Sequence, residues 1–288
     1  MAEIARRLRG RARLRGIGLI TGRRVAVEVG PAPAGHGLRF RRVDRRGAGG
    51  EAMADWRHFV EVPNCTCLEA PTGARFHMVE HCMAALAAAG VEDALIEVDG
   101  PELPHLDGSA RPYCDALDTA GLEIAPAGRR IEITAPLAFN FGRTRYRFEP
   151  ADRFELDLTI SLNHFGRQEW RGPVEWRVFE REIAPARSFM RLTLKNGLQL
   201  IGVWARKHGE AGVVGLWRDR AVNPFGLRMP DEMVRHRVID LLGDMRLAGA
   251  PIRGRVVAFG PAHKKNHDAV VRLMENTDVW RWSDAHNA

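Results

Sequence analysis

No stretch of eighteen consecutive apolar residues occurs in the chain, which excludes a membrane-spanning helix. The start, Met1-Ala2-Glu3-Ile4-Ala5-Arg6-Arg7, lacks the continuous apolar segment of a signal peptide, and none is expected. Cysteine is scarce: Cys65, Cys67, Cys82 and Cys114 form neither a C-x-x-C pair nor a dense disulfide framework. Reduced structural thiols are therefore expected, and a cytoplasmic location with them. The glycine-rich turn Gly16-Ile17-Gly18-Leu19-Ile20-Thr21-Gly22 lacks the spacing of a dinucleotide or P-loop fingerprint. Helix-turn-helix, zinc-finger and RNA-recognition signatures are missing, as is the H-E-x-x-H pattern of zinc peptidases.

What is present fits an ordinary globular protein: 288 residues, 45% apolar and 27% charged, long enough for two domains with a core each. The net charge of +7 is partly local, because Arg6, Arg7, Arg9, Arg11, Arg13 and Arg15 crowd the start. Such a run can bind phosphates, or it can line a solvated edge strand and block unwanted pairing. Without a recognition motif, nucleic acid is not the expected partner. A monomer is.

Gly-bounded strands are expected over residues 11–43, a polar excursion over 44–57, and a strand near Val60–Leu68. Phe76–Gly90 is rich in alanine, leucine and methionine and reads as a helix stopped at Gly90, with a strand at Ala94–Val98 and a short helix at 110–120. Strands are expected at Ile131–Thr134, Tyr146–Phe148, Phe154–Leu162, 174–179 and Arg253–Phe259. Residues 183–200 look helical in part, and 201–218 show no clear period.

Val234, Val238, Leu241 and Leu242 recur at helical spacing, so His236, Asp240 and Asp244, each four apart, stack along one face of that helix. The stretch echoes an earlier one. Val79-x-His81, helix, Gly90, strand, Gly100-Pro101 is matched by Val234-x-His236, helix, Gly249, strand, Gly260-Pro261. The echo predicts an α+β fold of two related halves, residues 1–126 and 127–288, each packing helices on one face of a sheet. Their histidine-bearing helices would meet across a cleft. Singly, each polar residue has a plain alternative: a lone His is more often a satisfied core residue, and His263-Lys264-Lys265 could be a basic turn. Together they supply the parts of a zinc hydrolase. His81, His236 and Asp240 give three ligands and leave a fourth position for water, whose pKa zinc lowers to about 7. Glu80, turned roughly 100° from His81 around its helix, is placed to accept the water proton. His263 can protonate the departing nitrogen, with Asp244 orienting it. The same ligand set also suits ferrous iron.

Glu80-His81-Cys82-Met83-Ala84-Ala85-Leu86, the run Gly100-Pro101-Glu102-Leu103-Pro104-His105-Leu106-Asp107-Gly108-Ser109-Ala110, and Val234-Arg235-His236-Arg237-Val238-Ile239-Asp240 resemble the UDP-3-O-acyl-N-acetylglucosamine deacetylases of lipid A biosynthesis. Gly16–Gly22, Pro31-Ala32-Pro33-Ala34 and Arg187-Ser188-Phe189 are similar to further stations of that family, in the same order. The resemblance implies two βααβ-type domains, zinc between them, and hydrolysis of an N-acetyl amide on a UDP-linked acylated amino sugar. It matches His81, His236 and Asp240 to the metal ligands, Glu80 to the general base, and His263 to the general acid with Asp244 beside it. It also implies substrate contacts at Ser188, Phe189 and Arg237, with the Ser188 hydroxyl helping to stabilise the oxyanion where the family usually has threonine. Ile20 stands where the family has histidine, Arg237 where it has lysine, and Ala262 where it has glycine. The Ile201–His208 stretch does not match the family's acyl-contact region. Two other readings follow from these departures and from the arginine-rich start. One is a diverged zinc amidohydrolase acting on another acylated amino sugar or nucleotide. The other is a non-enzymatic binder of phosphate or nucleic acid.

Overall fold

The computed structural model describes residues 4–44, 50–162, 165–193, 212–218, 220–223 and 226–284. Two five-stranded sheets dominate it, and they share one plan. In the first, the spatial order is Ala12–Ile17, Arg24–Pro31, Ala94–Val98, Leu38–Arg42, Glu51–Met53. In the second it is Leu137–Phe141, Thr144–Glu149, Arg255–Phe259, Glu155–Leu162, Gly166–Pro173. Each reads first, second, fifth, third, fourth along its own stretch of chain. In each, the fifth strand runs antiparallel to the second and parallel to the third.

A parallel pair cannot be closed by a hairpin and needs a crossover, here a helix. In the first half the crossover contains α1 (Glu80–Ala89), and α2 (Arg111–Ala120) follows the fifth strand. In the second it contains α3 (Glu232–Met245), and α4 (His263–Glu275) follows. At 14 residues against 10, α3 is longer than α1 by about one turn, as the echo predicts. The α+β class read from the sequence is the one observed. No described helix is long and apolar enough to cross a membrane.

Alternation sets the faces. Ala94–Val98 buries its first, third and fifth residues, and Thr144–Glu149 buries Tyr146 and Phe148 while Arg145 and Arg147 stay exposed. Phe40, Phe76, Leu86 and Ile96 fill the first core; Phe148, Leu156, Leu158 and Val256 fill the second. The helix α1 lies between the halves and is buried nearly all round.

Several expectations need correction. The helix expected from Phe76 begins at Glu80, because Arg75–His77 is a strand and Met78, at φ 63°, breaks the path into the helix. The strand expected at 174–179 is helical, with a turn at Trp176–Val178 and a wide one at Phe179–Ile183, while the strand lies just before it at Gly166–Pro173. Of the 183–200 stretch expected to be helical in part, Ser188–Arg191 is a strand, and residues 194–200 lie outside the described residues. The polar excursion at 44–57 holds an edge strand, Glu51–Met53, and residues 201–211 of the aperiodic segment lie outside the described residues. The helix α4, starting on His263, was not foreseen.

The arginine-rich start forms strands. Arg7 and Arg9 pair with Glu123, Arg11 with Glu28 and Glu97, and Arg13 with Glu28. Four of the six arginines of the basic run are thus charge-paired on a sheet surface.

Candidate active site and metal centre

The two crossover helices pack against each other because α3 carries a glycine where they touch. A Cβ on Gly243 would lie 2.2 Å from the Glu80 carbonyl oxygen, so any side chain there would push α1 away. This close approach puts the first turn of α1 over the His236–Asp244 face of α3. Nε2 of His81 lies 3.8 Å, and Nε2 of His236 3.4 Å, from the same oxygen, Oδ1 of Asp240. The two imidazoles meet edge to face at 5.1 Å.

The donor set suits a cation. Oδ1 of Asp240 is buried and has no hydrogen-bond partner, a costly state unless something positive sits before it. Its other oxygen accepts from Arg237 at 2.7 Å. Nδ1 of His236 lies 3.2 Å from the Ala186 carbonyl, which can only accept, so Nδ1 carries the proton and Nε2 presents its lone pair. Burial, reinforced by His236, lowers His81 to about 3, and burial also lowers His236. Burial works against the Asp240 carboxylate, yet His236, His263, Arg237 and His81 together hold it below the ordinary range. Two neutral imidazoles and one carboxylate converge, their donor atoms all within 4.8 Å of one another. Donors about 2.1 Å from a shared zinc lie at most roughly 4 Å apart, so the two contacts to Asp240 already meet the requirement.

Glu80 stays outside that set. Its Oε2 accepts from the backbone N–H of Thr66 at 3.1 Å. Burial lifts its carboxyl to about 7, with the Asp240 and Asp244 charges pushing the same way against the His263 imidazolium. Across the site, burial alone would lower His263, but Asp244 and Asp240 outweigh it and raise it to about 10. Nδ1 of His263 lies 3.0 Å from Oδ2 of Asp244, which leaves Nε2 as the atom that faces the cluster, 3.9 Å from Oδ2 of Asp240. Asn266 fixes Asp244 from α4, donating to Oδ2 at 2.8 Å.

Arg187, Ser188 and Phe189 lie beside α3. Arg187 is buried against Glu232 in the first turn of α3, with Nε at 2.8 Å and its backbone N–H at 2.9 Å from Oε1. That anchor sets Phe189 edge-on to His236 at 6.0 Å, with the Arg237 guanidinium 4.8 Å over the Phe189 ring. Both the N–H and the hydroxyl of Ser188 donate to the Gly108 carbonyl, at 2.7 and 3.1 Å. Gly108 itself needs to be glycine: φ is 81°, and a Cβ would meet the Gly212 carbonyl oxygen. The long Gly100–Ala110 run therefore serves as scaffold. Within it, Glu102 accepts from the backbone N–H groups of Ile20 and Thr21 at 2.9 and 2.8 Å, and Asp107 accepts from Arg228 at 2.8 Å.

The family model described as LpxC, UDP-3-O-acyl N-acetylglycosamine deacetylase, matches residues 5–275. The chain belongs to this family. Similar relatives include the UDP-3-O-acyl-N-acetylglucosamine deacetylase of Anaeromyxobacter dehalogenans (strain 2CP-C), 36% identical over 269 residues that cover 92% of this chain and 86% of that one. That of Phenylobacterium zucineum (strain HLK1) is also 36% identical, over 92% of both chains. That of Myxococcus xanthus (strain DK1622) is 35% identical over 93% of this chain and 86% of its own.

Of the nine residues named from the sequence of this LpxC family member, eight are linked by the contacts above around His81, His236 and Asp240, while the Ser188 side chain turns to the Gly108 carbonyl. Sequence reasoning missed Thr66, Gly243, Glu232 and Asn266. Gly243 had left a signal, an isolated glycine inside a helical pattern. Thr66 had left a weaker one, a lone hydroxyl between Cys65 and Cys67 in an apolar extended stretch. Asn266 and Glu232 had none. Elsewhere, a cavity of about 260 Å³ lined in part by Ala87, Val91, Leu242, Met245 and Ile252 lies on the side of α3 turned away from Asp240, and none of the nine residues lines it.

Proposed function

We propose that the chain hydrolyses the N-acetyl amide of UDP-3-O-acyl-N-acetylglucosamine, a step of lipid A biosynthesis, with zinc held by His81, His236 and Asp240. The observation that carries this reading is the unpartnered Asp240 Oδ1 facing two imidazole nitrogens, beside a buried glutamate that lies outside the donor set. Family membership supplies the substrate class. Ferrous iron suits the same donors, and the ion is assigned here to zinc for its tolerance of mixed nitrogen and oxygen sets.

When bound, the ion would polarise the amide carbonyl and acidify the attacking water. The protein's own residues handle the protons. Glu80, raised to about 7 by burial, can take a proton near neutral pH and return to its charged form without a large cost. His263, kept protonated by Asp244, can deliver a proton from Nε2 to the leaving nitrogen. Arg237 and Phe189 are assigned to the substrate at the mouth of the site. Ser188 is assigned to the developing oxyanion, for which its hydroxyl must turn from the Gly108 carbonyl. We further read residues 1–126 and 127–288 as two domains that share the site. The assigned compartment is the cytoplasm, consistent with four buried cysteines that form no disulfide.

Acetate release from UDP-3-O-acyl-N-acetylglucosamine by zinc-loaded protein tests the reading. Turnover abolished by chelation and restored by zinc is the expected result; zinc-loaded protein inert on that substrate would defeat the substrate assignment.

A further inference from the structure

Thr66 is fully buried and touches both proton-handling groups. Its backbone N–H donates to Oε2 of Glu80, and its carbonyl accepts from Met78 N–H at 3.0 Å, so the turn into α1 is fastened to it on two sides. Its hydroxyl reaches across to the other half of the molecule, donating to Oδ1 of Asp244 and lying 3.1 Å from Nδ1 of His263. A carboxylate only accepts, so the hydroxyl proton goes to Asp244 and an oxygen lone pair is left toward Nδ1–H. The N–H contact is available to any residue but proline. The bridge to Asp244 and His263 requires the hydroxyl.

We propose that Thr66 is a positioning residue for the deacetylation, whose hydroxyl holds the Asp244–His263 pair in fixed register with Glu80. The inference rests on the reading of Glu80 as base and His263 as acid. Asp244 keeps a second anchor in Asn266, itself held by the Tyr146 hydroxyl, so the carboxylate stays in place when the threonine hydroxyl is removed. What is lost is the tie between the halves at the point where two proton transfers must be aligned. Catalysis is sensitive to displacements of that size.

Valine has the shape of threonine without the hydroxyl, which sets the test. Thr66→Val and Thr66→Ser are compared with wild type for bound zinc, KM and kcat in acetate release. In Thr66→Val, zinc content and KM are expected to stay within about twofold while kcat falls roughly 10- to 100-fold. Thr66→Ser is expected to recover kcat to within about threefold, because the serine hydroxyl can make the same bridge. In a His263→Gln background the valine substitution should cost little more, since the group it positions is gone. Thr66→Ala serves where the valine variant does not fold, with the same expected loss. An active wild type with an equally active Thr66→Val overturns the positioning role alone. So does a loss that serine fails to restore, or one shared equally by zinc content. A wild type inert on the substrate overturns the functional reading, and the positioning role with it.

Discussion

Glu80 stands one residue from a metal donor, yet its carboxylate points to the Thr66 N–H. Replacing it with glutamine keeps the shape and removes the base. Glu80→Gln is expected to retain zinc at wild-type stoichiometry while kcat drops about 10²- to 10⁴-fold, the usual weight of general acid–base help. Full turnover in that variant would remove Glu80 from its role. Rate against pH reads both protons. The base must be ionised, so activity rises as pH passes the Glu80 value of about 7; the acid must be protonated, so activity falls as pH passes the His263 value of about 10. A bound cation disfavours protonation of either group, which moves both limbs of the loaded enzyme below those values. In kcat/KM profiles of His263→Gln the alkaline limb should vanish; its persistence would assign that limb to another group. At this scale the sequence was legible where spacing carried meaning: His236, Asp240 and Asp244, four apart, share a face, and Glu80 follows from its place next to His81. Thr66 and Asn266 were not, because neither belongs to a spacing pattern that marks a shared face; Thr66 meets Asp244 across 178 positions and Asn266 across 22.

The helices α1 and α3 are where local and tertiary preferences collide. Glycine to alanine in a helix interior ordinarily stabilises by about 1 kcal/mol. At Gly243 the added methyl would sit 2.2 Å from the Glu80 backbone, and overpacking of this kind costs about 1–3 kcal/mol. Gly243→Ala is therefore expected to lower stability in chemical denaturation and to weaken zinc retention, because α1 must retreat and carry His81 with it. A variant more stable than wild type would show that the helices are free to separate. Element types were readable where the period was clean, as in Ala94–Val98 and Glu155–Leu162. They were misread where tertiary contacts overrode it. Trp176–Ile183 looks β-prone from its valine and aromatics, yet it coils so that Trp176, Phe179 and Ile183 reach the core. His263 opens a helix whose polar first turn reads as a surface loop until Tyr146 and Asp244 are seen beneath it.

For the whole molecule, one arrangement explains both the echo and the site. Two copies of a five-stranded unit each need a crossover helix, and the crossovers face each other with their donors between them. The cluster buries Glu80, His81, His236, Asp240 and Asp244 together, an expensive grouping that a cation offsets. Binding at 100 times Kd stabilises by about 2.7 kcal/mol, so chelation should lower the Tm by roughly 5–10 °C. In Asp240→Ala the chelator should shift nothing; an equal shift there would place the ion elsewhere. The sequence foretold the pairing of halves through its repeated helix, glycine, strand and Gly-Pro order. It also foretold that the two histidine-bearing helices meet; that they touch directly, with no side chain between them at Gly243, is what the structure adds.

The most direct measurement is anomalous diffraction at the zinc edge from crystals of the zinc-loaded protein. A single peak within about 2.1 Å of His81 Nε2, His236 Nε2 and an Asp240 oxygen, with the Glu80 carboxylate outside coordination distance, is the expected result. A peak that excludes any of those three residues, or one ligated by Glu80, would contradict the account.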